Sequence, residues 1–240
     1  MNLHTETASV QSVAWLEGFA ELARGHKLWR HPFIDRCRGG TLSLEQVRLL
    51  AVQMYKFSYE FNAILARAIA ACDDESARII VAENLWEELG SGDLGSTHPA
   101  LFRRFTRALG ISDVALAAVP ALPETRALIH TYLTLPDSHG FLAAVAAVCF
   151  ASEGIVAMLY RQIEQGIRGT VAIADEDLAF FHVHIQVDDS HAANLVELLG
   201  PRLSTAEDAL LARSAIRLAL DARCTFFDGI LRATRTPCDS

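Results

Sequence analysis

The sequence predicts an all-α fold, a bundle of seven or eight helices. Three observations carry this: apolar residues recur at helical spacing in almost every segment, no run alternates with period two, and Gly and Pro gather in short breaks between the periodic runs. A first helix is expected over residues 9–24. The link after it holds His26, His31-Pro32 and Gly39-Gly40 and reads as irregular. Ser43 with Gln46 has the spacing of a capping box and opens a long helix to about Ala71. Asp73 or Asp74 caps the next, which runs to Leu89 before Gly90-Ser91-Gly92-Asp93-Leu94-Gly95 breaks it. Pro99 opens a helix to about Gly110. Pro120 and Pro123 punctuate the connection to a helix over residues 124–135, and Pro136-Asp137-Ser138 starts a strongly apolar one that continues to about Gly166. Residues 180–199, FFHVHIQVDDSHAANLVELL, contain no Pro or Gly and stop at Gly200-Pro201, so they read as one long helix. Residues 204–231 form the last helix, before a polar tail from about residue 233. With no repeat, low-complexity tract or long linker, residues 1–240 read as a single domain.

Composition narrows the function classes. The 240 residues are 51% hydrophobic and 21% charged, ample for a sizeable core. A net charge of −8 with scattered Lys and Arg argues against nucleic acid and anionic membrane as partners. The cysteines (Cys37, Cys72, Cys149, Cys224, Cys238) are odd in number and far apart, which points to a reducing compartment and away from a disulfide frame or a thiolate zinc site. The first fifteen residues lack the basic start and apolar run of a signal peptide. Residues 141–160 are apolar and long enough to span a bilayer, but Ser152, Glu153 and Gly154 lie among them, so they read as a helix buried in the bundle. A cytoplasmic protein is expected.

The 180–199 stretch carries the chemistry. His184, Asp188 and His191 sit at i, i+4 and i+7, within about 60° of one another on one helix face. Two imidazoles and a carboxylate aimed inward form half a site for a first-row metal; His182 and Asp189 point off that face. Other helices offer the rest. Glu153 stands between Phe150-Ala151 and Ile155-Val156, where an ionised carboxylate costs several kcal/mol unless paired or metal-bound; its alternative is a buried ion pair with an Arg. Glu88 closes a helix just before the glycine loop, and His98 returns ten residues later. Glu83 and Glu87, four apart, read as a solvated face, and His98 could equally be a cap ahead of Pro99. Glu60, flanked by Tyr59 and Phe61, is a further carboxylate that could be ligand or surface. Three His and three or four carboxylates are too many for one catalytic zinc and suit two irons bridged by carboxylates inside a bundle.

The order Glu88…His98…Glu153…His184-x-x-x-Asp188-x-x-His191 resembles that of the heme-oxygenase-like diiron oxidases and oxygenases. So does the local text Asn84-Leu85-Trp86-Glu87-Glu88-Leu89-Gly90 leading to His98-Pro99-Ala100-Leu101-Phe102, and the likeness spans about residues 42–199. It implies a heme-oxygenase-like helical bundle without heme, a labile centre of two Fe, and O2 activation by its diferrous form. Carried over, Glu88, His98, Glu153, His184, Asp188 and His191 are the six core ligands. Glu60 matches the extra carboxylate of the amine N-oxygenase and fatty-acid decarboxylase branches. The branch resembling the chlamydial death-domain-associated protein, linked to p-aminobenzoate synthesis, has a modifiable Tyr before its second long helix; Ile34 occupies that place here. The related thiaminase II and pyrroloquinoline-quinone synthase families share the fold without this ligand set.

The expected activity is O2-dependent N-oxygenation of a small amine or amino acid in a biosynthetic pathway. Oxidative C–C cleavage or decarboxylation of an amino or fatty acid comes second. Either needs an external electron donor, a reductase or a small reductant, and a homodimer is compatible with both. Two rivals stand in other classes: a metal-free helical binding protein, and a thiaminase-II-like hydrolase using Cys149, four residues from Glu153. Phe57, Phe61, Trp86, Phe105, Phe150 and Phe181 are pocket candidates that plain core packing also explains. No G-x-S-x-G, P-loop or dinucleotide fingerprint is present.

Overall fold

The computed structural model describes residues 10–186 and 190–234. Its helices are α1 (Val10–Gly25), α2 (Pro32–Arg38), α3 (Leu44–Ala70), α4 (Glu75–Glu88), α5 (His98–Ala108), α6 (Asp113–Ala118), α7 (Pro123–Val148), α8 (Gly154–Thr170), α9 (Ala179–Gln186), α10 (Ser190–Arg202) and α11 (Ala206–Ala233). Among the described residues there is no strand, and the all-α class stands. The segments outnumber the seven or eight expected because two short helices sit in stretches read as links and because residues 180–199 are described as two segments, α9 and α10. In α2 the starter is an unusual cap: His31 Nδ1 accepts the Phe33 N–H at 3.1 Å, with Pro32 supplying a preset φ. In α6, Ser112 caps a helix of only 6 residues, too short for a period to show.

Expected caps hold elsewhere. Ser43 and Gln46 exchange side-chain to backbone hydrogen bonds at 3.1 and 3.0 Å. Asp74, of the two candidates, starts α4. The apolar stretch is continuous with what precedes it: Pro136 lies inside α7 and the backbone breaks four residues later at Gly140 (φ 81°, ψ 171°). A proline removes one helical N–H but keeps a helical φ, whereas only glycine takes that positive φ without a Cβ penalty. Likewise Gly200-Pro201 does not end α10, which runs on to Arg202. The continuity expected across residues 187–189 lies outside the described residues.

The long helices α7 and α11 pack along each other, with α3 across α7 and α4 and α5 against α3. Helix α8 is covered by α2 and α9, and α10 lies over α4 and α7. Residues 123–170 are apolar enough to cross a membrane, with a mean hydropathy of 2.1 in the most apolar window, yet 72% of that window is buried within the fold. It is a core element, as expected. An aromatic cluster pins α9 to α5: Phe102 meets Phe180 at 4.4 Å with the rings tilted by 60°, and Phe105 meets Phe181 edge-on at 5.1 Å. Each such pair is worth about 0.5–1.5 kcal/mol beyond the area it buries.

Between α7 and α8 the helix widens into a π-turn, Cys149–Glu153, and the Gly154 N–H reaches back five residues to the Cys149 carbonyl. A Cβ on Gly154 would lie 2.8 Å from that oxygen, so the turn requires glycine there. All five residues of the turn are buried.

Asp74 offers a direct test of how α4 is anchored. One carboxylate oxygen accepts the N–H groups of Ser76 and Ala77 (2.8 and 3.1 Å), the other the Arg202 guanidinium at the end of α10 (2.6 and 2.9 Å). The Ser76 hydroxyl, which also donates to Asp74 at 2.7 Å, holds the carboxyl well below the usual range, helped next by the Ala77 N–H and then by Arg202. Asp74→Ala is expected to lower stability by about 1–2 kcal/mol at pH 7. A depressed folded pKa stabilises above the unfolded value of about 3.9 and is lost as pH falls. The gap between wild type and variant in thermal melts should therefore narrow at pH 3.

Candidate metal centre

The end of α4 presents three side chains in different directions. Glu88 is turned inward and only 3% exposed, Asn84 one turn earlier is also buried, and Glu87 sits at the rim. Glu83 is on the solvated face, as expected. The chain then doubles back. Gly90 takes φ 73°, and a Cβ there would come within 2.7 Å of the Thr97 nitrogen, so only glycine allows the return. Thr97 caps α5, accepting the Ala100 N–H at 3.2 Å, and His98 becomes its first residue. Its Nδ1 arrives 2.6 Å from Glu88 Oε2.

That approach lacks hydrogen-bond geometry: His98 Nδ1 is buried without a hydrogen-bond partner. A nitrogen and a carboxylate oxygen facing a common point in this way are placed as ligands to a third atom would be. His184, from α9, completes the group. Its Nδ1–H donates to the Phe180 carbonyl at 2.6 Å, which leaves the Nε2 lone pair free, and its ring lies 4.6 Å from that of His98. Ligand atoms of Glu88, His98 and His184 all lie within 4.8 Å of one another.

A second group adjoins the first. Glu153, delivered by the π-turn, is 8% exposed; its Oε1 accepts from Asn84 Nδ2 at 3.2 Å and its Oε2 lies 3.9 Å from His191 Nδ1. The other nitrogen of His191, Nε2, contacts Glu87. Asp188 falls outside the described residues. Burial raises the Glu88 carboxyl above the usual range. Burial pushes Glu153 up too, but His191 beside it, helped by His184 and Asn84, leaves it lower than usual. His191 is held up at about 9 chiefly by Glu153, with Glu87 adding to it, whereas burial and the nearby His98 bring His184 down to about 3. In the absence of metal, charges therefore collect at the Glu153 group, while the His184 imidazole stays neutral and ready to ligate.

Five of the seven sequence candidates thus converge: Glu88, His98, Glu153, His184 and His191. Glu60 does not. Phe57, Ser58 and Phe61 take the inward face of α3 and line the cavity beside Glu88, Glu153 and His184. Glu60 lies roughly 100° around the helix from that face and lines a separate groove with Tyr59 and Arg126. The pocket candidates divide in the same way. Phe57 and Phe61 line the cavity, Phe105, Phe150 and Phe181 are core, and Trp86 is 55% exposed. Cys149 is buried with its thiol directed at the Ala192 carbonyl (3.5 Å), and burial pushes its pKa far up, so it is no ready nucleophile.

Sequence reasoning missed Asn84 and discounted Glu87. Both act across helices, so spacing along α4 gave no sign of them. Glu87→Ala, half-exposed at the rim, should leave the fold intact and weaken iron binding about 10- to 100-fold by releasing His191. Anaerobic Fe(II) titration checks this.

The donor set, two or more imidazoles with buried carboxylates, suits iron. Comparison with known proteins agrees. Residues 48–224 match the model of a family described as iron-containing redox enzymes, and the chain belongs to that family and is an oxidoreductase. It is 30% identical to a 4-aminobenzoate synthase of Nitrosomonas europaea, over 87% of each chain. With a 4-chloro-allylglycine synthase of Streptantibioticus cattleyicolor it shares 28% identity, over 78% of this chain and 71% of that one. A protein from Shewanella denitrificans described as having a heme oxygenase-like fold superposes with a TM-score of 0.77 at 15% identity, covering 97% and 98% of the two chains. The heme-oxygenase-like fold expected from the sequence is the one observed.

Proposed function

We propose that the chain is a non-heme diiron enzyme that uses O2 to oxidise a small amino acid or amine. The observation that carries the reading is the convergence of Glu88, His98, His184, Glu153 and His191, from α4, α5, α9, the π-turn and α10, around one cavity. Glu88, His98 and His184 would hold one iron; Glu153, His191 and the expected Asp188 would hold the other. Two irons there supply O2 activation. The protein's part is positional: Phe57, Phe61 and Val156 keep water out, and Asn84, Glu87 and the Phe180 carbonyl fix the ligands' orientation.

N-oxygenation of a primary amine is the first reaction to test. It consumes one O2, two electrons and two protons and yields a hydroxylamine and water, so an external donor, a reductase or a small reductant, must deliver the electron pair. Glu60, outside the site, lends this branch no support. What favours an amino-acid substrate is that the two relatives are named for 4-aminobenzoate and an allylglycine, molecules that carry both an amine and a carboxyl group. Ile34, fully buried and without a hydroxyl, cannot serve as a modifiable Tyr. Oxidative C–C cleavage or decarboxylation of an amino or fatty acid is the alternative.

Anaerobic loading with Fe(II), then stopped-flow mixing with O2, tests the reading. Uptake of two irons per chain and a transient visible absorption band that decays faster with the right amine or amino acid are expected. A chain that takes up no iron would end it. Mass spectrometry of the product separates oxygen gain from loss of a carbon fragment.

A further inference from the structure

Beside the ligand groups lies a charge that the metal site does not use. Arg223, on α11, is 4% exposed and sits in a row of core-facing residues with Leu220 and Phe227. Its guanidinium lies over the Phe57 ring, 4.9 Å from the centroid. One terminal nitrogen donates to the Ala151 carbonyl (3.3 Å) and to Ser152 Oγ (3.1 Å), while Nε is buried with no partner. Both acceptors are neutral, and among the described residues no carboxylate pairs with it. The acceptors are themselves fixed, because Ser152 Oγ donates to the Tyr132 hydroxyl (3.1 Å), which donates to the Ala151 carbonyl (2.9 Å). Arg223 lines the cavity that holds Glu88, Glu153 and His184, and also a smaller apolar cavity behind it.

A buried cation without a counter-ion is costly, and a purely structural link between α11 and the π-turn would not require one. A guanidinium, with its rigid fork of donors, suits a carboxylate better than any neutral acceptor. We propose that Arg223 is the docking point for the carboxylate of the substrate, held in place by Phe57 and Ser152, with the rest of the substrate directed toward Glu88 and His184. This rests on the oxidase reading for where the reaction occurs, though not for the anion site itself. The site then selects molecules that carry an acid group a short distance from the atom to be oxidised. A free amine without a carboxylate is a poor substrate.

Acetate and its neutral counterpart acetamide are the probes, on the iron-loaded chain kept anaerobic, with iron per chain measured on the same samples. Acetate should raise the melting temperature saturably, by about 3 °C or more near saturation, relative to chloride at equal ionic strength. Acetamide should not. Arg223→Met should lose the acetate shift, and Arg223→Lys, which keeps the charge and loses the fork, should keep less than about a third of it. Ser152→Ala should weaken acetate several-fold. A wild-type chain that responds equally to acetate and acetamide overturns the proposal, as does an undiminished acetate shift in Arg223→Met; the latter is what acetate bound only to iron gives. If Arg223→Met does not fold, Arg223→Lys decides, and an undiminished shift there overturns the proposal. Failure of the wild type to load iron counts against the oxidase reading alone, and the acetate and acetamide comparison is then read on the metal-free chain.

Discussion

A His184→Ala chain is expected to remain folded, to bind at most about one iron, and to lose a hundredfold or more of its O2-dependent turnover. The imidazole is held by two sets of contacts with different purposes. Its Nδ1–H bond to the Phe180 carbonyl fixes the tautomer, and the surrounding rings of Phe180 and Tyr160, 4.5 and 5.1 Å away, fix the plane. Neither contact supports the helix, which Phe180 and Phe181 anchor to α5. Removing the ring therefore empties a ligand position without undoing the packing that defines it. Iron analysis of reconstituted protein, alongside melting curves, checks both halves. Iron content equal to wild type would remove His184 from the ligand set. A metal-free binding protein, by contrast, takes up no iron in either form.

The second large effect is a reversal. Glu88→Leu is expected to raise the stability of the metal-free chain by about 1–3 kcal/mol and to abolish the stabilisation that iron gives the wild type. Glu88 is buried, burial lifts its pKa, and the His98 nitrogen set 2.6 Å from it approaches without forming a hydrogen bond. Such a carboxylate is a cost in the absence of metal, and a leucine of similar volume removes it. With iron present the ranking should invert, wild type melting higher. Melts of both proteins with and without Fe(II) under anaerobic conditions read this directly; a metal-free Glu88→Leu less stable than wild type would mean that Glu88 is structural.

Much of this centre was legible because several imidazoles and carboxylates are an unusual residue set to bury, and burial can be inferred from neighbours. Glu153 stood out through Phe150 and Ile155, and His184 and His191 through a shared helix face. Glu60 misled because flanking aromatics suggest an inward position whichever way the helix turns. The phase set by Phe57, Ser58 and Phe61 decides it, and that phase is fixed by tertiary packing. Asn84, Glu87 and Arg223 were invisible for a related reason: each acquires its role from a partner 69 or more residues away (Glu153, His191 and Ser152). Helix breaks were legible in kind but displaced in place, since Pro136 and Gly140 both signal one and only the glycine can adopt the required backbone.

The widened turn at Cys149–Glu153 implies that the aim of one ligand is encoded by counting, independent of which side chains are chosen. Deleting a single residue there, Ala151 for instance, would let the segment relax into ordinary helix and swing Glu153 by roughly 100° relative to α8 or α7. The shortened protein could gain helical regularity while its iron chemistry disappears. A single-residue deletion at this turn would then separate foldability from activity while leaving every ligand side chain in the sequence.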